Sequence, residues 1–127
     1  MQRRDINAAD AAAPAGAYTQ AVEVTGATRT LYVSGQIPAA PDGAVPDDLA
    51  AQCRLAFANI AAQLRAAGMT FDNVVKIVTI LPEQASLGVY RAARQEALGE
   101  RRPASTLIVG GLANPAWRVE IEVIACA

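Results

Sequence analysis

The spacing of apolar positions changes several times along the 127-residue chain, and each change marks an element. The clearest alternation closes the chain. From Trp117 to Ala125, Trp117, Val119, Ile121 and Val123 fall on one face and Arg118, Glu120 and Glu122 on the other. This is the period-2 signature of a half-buried strand. Further upstream, Leu49, Cys53, Phe57, Ile60, Leu64 and Ala67 recur every three or four residues, with Gln52, Arg54, Asn59, Gln63 and Arg65 between them. That spacing predicts a one-sided helix of about five turns, capped by Asp47 or Asp48 after Pro46 and stopped by Gly68.

Residues Asn73 to Leu81 are β-branched on both faces, as in an interior strand covered on both sides, and Pro82 ends the run. A second helix is predicted from Glu83 to Leu98, with Leu87, Tyr90, Ala93 or Arg94, and Ala97 turned inward and Gly99 as its stop. Ser105 to Val109, after Pro103, is a further strand broken by Gly110-Gly111, and Asn114-Pro115 makes a turn. Near the start, Tyr18–Val24 and Arg29–Ser34 are two β-rich runs around a Gly26-containing turn, which predicts a hairpin. Asp10 to Gly16 shows no periodicity and is expected to be a loop. The order β-β-α-β-α-β-β, with no repeat or linker, predicts one α+β domain over residues 1–127: a mixed sheet with two helices on one face.

Composition narrows the chemistry. Apolar residues make up 53%, enough for a sizeable core, and the net charge of −1 lacks the basic excess that phosphate-backbone binding requires. Aromatics at 5% are not interleaved with basic residues, so no nucleic-acid partner is expected. The chain has no histidine, which excludes Ser-His-Asp and Cys-His nucleophiles and histidine zinc sites. Cys53 and Cys126 form no C-x-x-C motif, and Cys53 falls on the apolar stripe of the first helix, where a core thiol is expected. Carboxylates are too sparse for a hard-cation cage, so neither metal nor cofactor is expected. Met1 to Asn7 leads into alanines rather than a leucine-rich leader, and no apolar run reaches membrane-spanning length. A cytoplasmic protein with no membrane partner is the expectation.

Few groups remain that can carry chemistry. Glu120 and Glu122 emerge on one strand face about 7 Å apart. A carboxylate so held can orient a water and move its proton, or can simply be a solvated face balanced by Arg118. Ser34-Gly35-Gln36-Ile37-Pro38 bends the chain after an apolar strand and exposes a hydroxyl and backbone amides. Tyr18 follows Gly16-Ala17, where a phenol can face a cleft or the core. Phosphate loops and the G-x-S-x-G elbow are absent.

Taken in order, Pro14-Ala-Gly-Ala-Tyr18-Thr-Gln-Ala-Val, Leu31-Tyr-Val-Ser-Gly-Gln-Ile-Pro38, Asn73-Val-Val-Lys-Ile-Val, Arg102-Pro-Ala-Ser-Thr106 and Val119-Glu-Ile-Glu-Val-Ile-Ala125 resemble the RidA/YjgF family, also labelled L-PSP-type endoribonucleases. The resemblance covers nearly the whole chain from Pro14. It implies a chorismate-mutase-like fold, assembly as a homotrimer, and a small-molecule cleft at each subunit boundary. It also implies hydrolysis of reactive enamines and imines to carbonyl products and ammonia. Carried onto this chain, Glu120 is the glutamate that holds water, Tyr18 the pocket tyrosine, and Ser34 and Gly35 the pocket floor. Deaminating members read Pro-Ala-Arg-Ser where this chain reads Pro103-Ala104-Ser105-Thr106, so the arginine that grips the substrate carboxylate is missing from that place. Ser105 and Thr106 are the candidate ligand contacts there, and Arg102 the candidate substitute for carboxylate binding. The alternative functions are a non-catalytic trimer that binds a small metabolite, and the ribonuclease of the family's label, against which the near-neutral charge counts.

Overall fold

The computed structural model describes residues 1–127. In chain order the elements are β1 (Gln2–Ile6), β2 (Ala21–Thr25), β3 (Thr30–Gln36), α1 (Leu49–Ala66), β4 (Val74–Leu81), α2 (Leu87–Leu98), β5 (Ala104–Val109) and β6 (Glu120–Cys126). Single 3-10 turns at Phe71–Asn73 and Gln84–Ser86 lead into β4 and α2.

Helix α1 forms where the apolar spacing placed it. The Asp48 carboxylate accepts the Ala51 amide at 2.8 Å, which satisfies one of the orphan donors of the first turn. At the other end Gly68 adopts φ +68, the left-handed conformation a glycine takes at least cost, and the chain reverses there. Cys53, Ala56, Phe57, Ile60 and Leu64 are buried as a stripe. Gln52 lies between apolar positions in the sequence but is buried as well. Its amide donates to the Pro46 and Ala116 carbonyls and its oxygen accepts the Arg118 amide, so it fastens the segment before β6 to the helix.

Strands β3, β6, β4 and β5 form one sheet in that order, with β4 and β5 parallel and the other pairs antiparallel. The α+β class and the mixed sheet expected from the sequence are both present. Alternation sorts each strand between two faces. Ile77, Thr79, Leu81, Ile121, Val123 and Ala125 are buried on the side that meets α1 and α2. The Phe57 ring stacks on Tyr90 with centroids 6.0 Å apart, and the Tyr90 hydroxyl is hydrogen-bonded to Thr79. Burial pushes the Tyr90 phenol up from its usual range.

Several expectations need correction. The first strand of the chain lies earlier than predicted: Gln2–Ile6 is β1, and the order is β-β-β-α-β-α-β-β. The segment Gln-Arg-Arg-Asp-Ile carries no apolar alternation, because its strand is part of a two-stranded ribbon with β2 at the surface. The hairpin between the two β-rich runs is likewise absent, since β2 pairs with β1 and β3 pairs with β6. The amides of Thr28 and Arg29 both donate to the Ala127 carbonyl, which turns the chain away from β2 and onto the last strand. Arg3 ties the ribbon to the main sheet by donating to the carbonyls of Val74 and Arg102. The strand expected from Trp117 begins at Glu120, because the Trp117 amide closes a turn onto the Asn114 carbonyl.

Strand β4 is interior as expected, but only one of its faces is covered by helices. On the other, Lys76, Val78 and Ile80 stand beside Ile124, Glu122 and Glu120 of β6 and Ala104, Thr106 and Ile108 of β5. Tyr32 (75% exposed) and Ile108 (46% exposed) belong to this bare face.

Candidate functional site

The groups that can carry chemistry gather at two places on the sheet. The first lies where β3 leaves β6. Val33 pairs with Val123 and Gln36 with Ile121, so three steps along β3 are matched by two along β6, and Ser34-Gly35 form a bulge. The Glu120 side chain lies across this bulge. A Cβ on Gly35 would stand 2.8 Å from the Glu120 Cδ, 2.9 Å from its Cγ and 3.1 Å from its Oε2. Only glycine allows the carboxylate to rest against the backbone here.

Glu120 is half-buried on the bare face, and its carboxylate takes part in none of the chain's ion pairs. Arg118, the candidate counter-charge, is in none of them either, so the balanced-face alternative for Glu120 does not describe this structure. Ser34 is exposed beside Gly35, and its carbonyl accepts the Gln36 side-chain amide. Ser34, Gly35 and Glu120 are thus one group.

The second place is the outer edge of β5. An isolated parallel bridge from Thr19 to Ala104 lays residues 15–19 along that edge. A cleft of about 490 Å³ opens between this segment, α2 and β5, lined by Tyr18, Tyr90, Arg91, Arg94, Gln95, Ser105 and Leu107, with Ala15 to Ala17 at its rim. The Tyr18 hydroxyl accepts the Ala15 amide at 3.1 Å, which holds the phenol at the mouth. Arg94 Nη1 donates to the Ser105 Oγ at 2.7 Å and Nη2 to the Ala17 carbonyl at 3.0 Å. Tyr18 and Ser105 are therefore brought together. Thr106, the next residue along β5, faces the opposite side of the sheet, where its hydroxyl accepts from Lys76 Nζ at 2.9 Å.

Arg102 lies outside this cleft. Its guanidinium turns back on its own loop, donating to the carbonyls of Gly99 and Arg101 and to the Glu100 carboxylate. Arg101 is paired with Asp72 at 2.6 Å, and that guanidinium holds the Asp72 carboxyl below the usual carboxylate range. The guanidiniums that do line the cleft belong to Arg91 and Arg94, which the sequence reading did not nominate. The one signal was helical phase, which offered Arg94 as an alternative to Ala93 on the inward stripe of α2. Cys53 is fully buried, and burial pushes its thiol up to about 11, which suits a core thiol and not a nucleophile.

The two places do not meet within one chain. Glu120 is opposite Ile80, which is opposite Ile108, so Ser105 lies one strand beyond β4 and three residues back. Strand spacing and rise put the two Cα atoms about 14 Å apart, with their side chains on opposite faces.

Fold and site together define an α+β subunit with an unpaired carboxylate on a bare sheet face and a cationic cleft at the far edge of the same sheet. Residues 8–127 match the family model described as Endoribonuclease L-PSP, and the chain belongs to that family, the RidA/YjgF family. It is 35% identical to a 2-iminobutanoate/2-iminopropanoate deaminase of Rattus norvegicus over 97% of this chain and 89% of the relative. Among solved structures, a Rid-family protein of Yersinia pestis superposes with a TM-score of 0.84 at 31% identity over the whole of both chains. RidA from an Antarctic Psychrobacter superposes with a TM-score of 0.73 at 30% identity, over 98% of this chain and 99% of that one.

Proposed function

We propose that this chain hydrolyses small reactive imines and enamines to carbonyl compounds and ammonia, at clefts formed between the subunits of a homotrimer. The observation that carries the reading is the Glu120 carboxylate, unpaired and seated against Gly35 on a face the single chain leaves bare. The deaminase relatives supply the reaction class.

Glu120 holds a water against the C=N carbon of the substrate. As the new C–O bond forms, the carboxylate takes the water's proton. The carboxylate returns that proton to the nitrogen, which gives a neutral carbinolamine. It then takes the hydroxyl proton and passes it to the amine, so that the C–N bond breaks, ammonia leaves and the C–O bond becomes a carbonyl. An enamine joins the same path once a proton has moved to its terminal carbon. The bulge at Ser34-Gly35 places backbone groups beside the reacting atoms, and Tyr18 closes the other side of the cleft.

Two features support assembly. The bare face exposes Tyr32 and Ile108 beside half-buried Val78, Ile80 and Ile124, an apolar patch that calls for cover. The two groups of site residues also lie about 14 Å apart on opposite faces of one sheet, so a site containing both needs a neighbour's cleft against this chain's Glu120. Such contacts are head-to-tail, and they close into a ring when the rotation allows. Generating 2-iminobutanoate in situ and following its loss tests the activity. The protein is expected to accelerate that loss, and no acceleration contradicts the reading. Sedimentation at micromolar concentration is expected to find a trimer, and a clean monomer contradicts the assembly.

A further inference from the structure

The cleft at the edge of β5 has a property that the hydrolysis chemistry does not use. Two arginines line it and no carboxylate does, and neither Arg91 nor Arg94 is in an ion pair with any acidic group of the chain. Positive charge in a concave, partly apolar site without a counter-ion selects anions. Arg91 is exposed on the helix surface, whereas Arg94 is half-buried and fixed. Its two terminal nitrogens each donate to a neutral oxygen, at Ser105 and at Ala17. Those bonds set the plane of the guanidinium without neutralising it. Of its five N–H donors, three remain.

We propose that Arg94, delivered from α2, is the anion anchor of the cleft and binds the carboxylate of a small 2-imino or 2-enamino acid. Ser105 is then a positioning residue. Its hydroxyl accepts from Nη1 and aims the fork, and its short side chain leaves room at the β5 edge for a guanidinium that arrives from the helix. This revises the expectation that Ser105 contacts the ligand itself. A planar guanidinium held in this way forms paired, charge-assisted hydrogen bonds to a carboxylate, which a single hydroxyl or ammonium does not reproduce. Part of the charge is shielded from solvent by Tyr90 and Leu107, and that strengthens the pairing. The identity of the anion rests on the imine-hydrolase reading, while the preference for an anion rests on the cleft alone.

The test compares binding of 2-oxobutanoate with that of its methyl ester, which lacks the charge, by titration calorimetry or NMR on the full-length protein. Wild type is expected to bind the acid at least about tenfold more tightly than the ester, the ratio one strong charge-assisted bond supplies. In Arg94→Gln the acid falls to the affinity of the ester and the ester is unchanged. Ser105→Ala is expected to weaken the acid severalfold with the ester again unchanged. Arg94→Lys retains charge but not the fork, and serves if the glutamine variant does not fold; it too is expected to lose most of the acid-to-ester ratio. A wild-type ratio retained in Arg94→Gln, or in Arg94→Lys where that variant stands in, overturns the anchor. Binding of the oxo acid needs no turnover, so the two proposals fail separately. An idle wild type whose acid binding collapses in Arg94→Gln keeps the anchor and loses the hydrolase. An active wild type whose arginine variant binds the acid equally well does the reverse.

Discussion

The two faces of the four-stranded sheet come from the same strands, one residue apart in phase, and they differ in what completes them. Ile77, Leu81, Ile121 and Ala125 point to the helices and have no exposed surface, so that face is finished within one chain. On the other face Val78, Ile80 and Ile124 share space with Lys76, Glu120 and Glu122, and nothing of the same chain covers them. An ionisable group on the helix face would have to be desolvated for good. On the bare face it stays available to a ligand, a water or a second subunit. The unpaired carboxylate of Glu120 sits where the core does not.

That contrast can be broken most severely from the finished side. Ile77→Ala leaves a cavity among fully buried side chains and is expected to cost about 2–5 kcal/mol in chemical denaturation. Ile80→Ala, three residues along β4 and on the bare face, is expected to cost the isolated subunit much less. Equal losses at the two positions would mean that the faces are not different in kind.

A smaller effect on stability, with a larger one on function, is expected at Gly35. A Cβ there overlaps the Glu120 Cγ and Cδ, so Gly35→Ala must push the carboxylate off the bulge. Overpacking of this kind costs about 1–3 kcal/mol, and imine hydrolysis is expected to fall about 100-fold, the scale of a displaced proton-transfer group. Full activity in Gly35→Ala would show that the carboxylate has no need of that seat.

The assembly half of the comparison is tested by Ile108→Glu, which places a charge among the exposed apolar residues of the bare face. Sedimentation is expected to shift from trimer to monomer while far-UV dichroism stays unchanged. A trimer that survives would put the interface elsewhere.

A further effect is alkaline. Burial raises the Cys53 thiol from 9.0 to about 11, so the folded state holds its proton more tightly than the unfolded chain. The stability from this group is present below pH 9 and is lost as pH rises towards 11. Thermal midpoints should therefore fall across that window, and Cys53→Ala should flatten the slope, leaving the part that the raised Tyr90 phenol contributes. An unchanged slope in Cys53→Ala would place the titration elsewhere.

Much of this fold is legible in the chain because most elements bury one face in a core of their own making. The α1 stripe, the β-branched run of β4 and the alternation of β6 each state both a period and a direction. The ribbon strand β1 buries almost nothing, and its pairing with β2 is written in cross-strand partners such as Arg4 and Glu23 rather than in a periodic pattern. The same limit applies to the site. Glu120 and Gly35 stood out because their segments are distinctive, and the structure joins them through the β3–β6 register. The guanidinium of the cleft was sought at Arg102, three residues before Ser105 in sequence. Loop carbonyls and the Glu100 carboxylate hold that one, while α2 brings Arg94 to Ser105 from eleven residues upstream.

The role of Glu120 is tested most directly by one comparison: the rate of loss of 2-iminobutanoate generated in situ, with wild type and with Glu120→Gln at equal protein concentration. Glutamine keeps the size of the side chain and its seat on Gly35 but cannot take a proton from water. The wild type is expected to accelerate the loss, and the glutamine variant to fall by about 100-fold or more, towards the uncatalysed rate. A Glu120→Gln protein as fast as wild type would contradict the role assigned to the carboxylate.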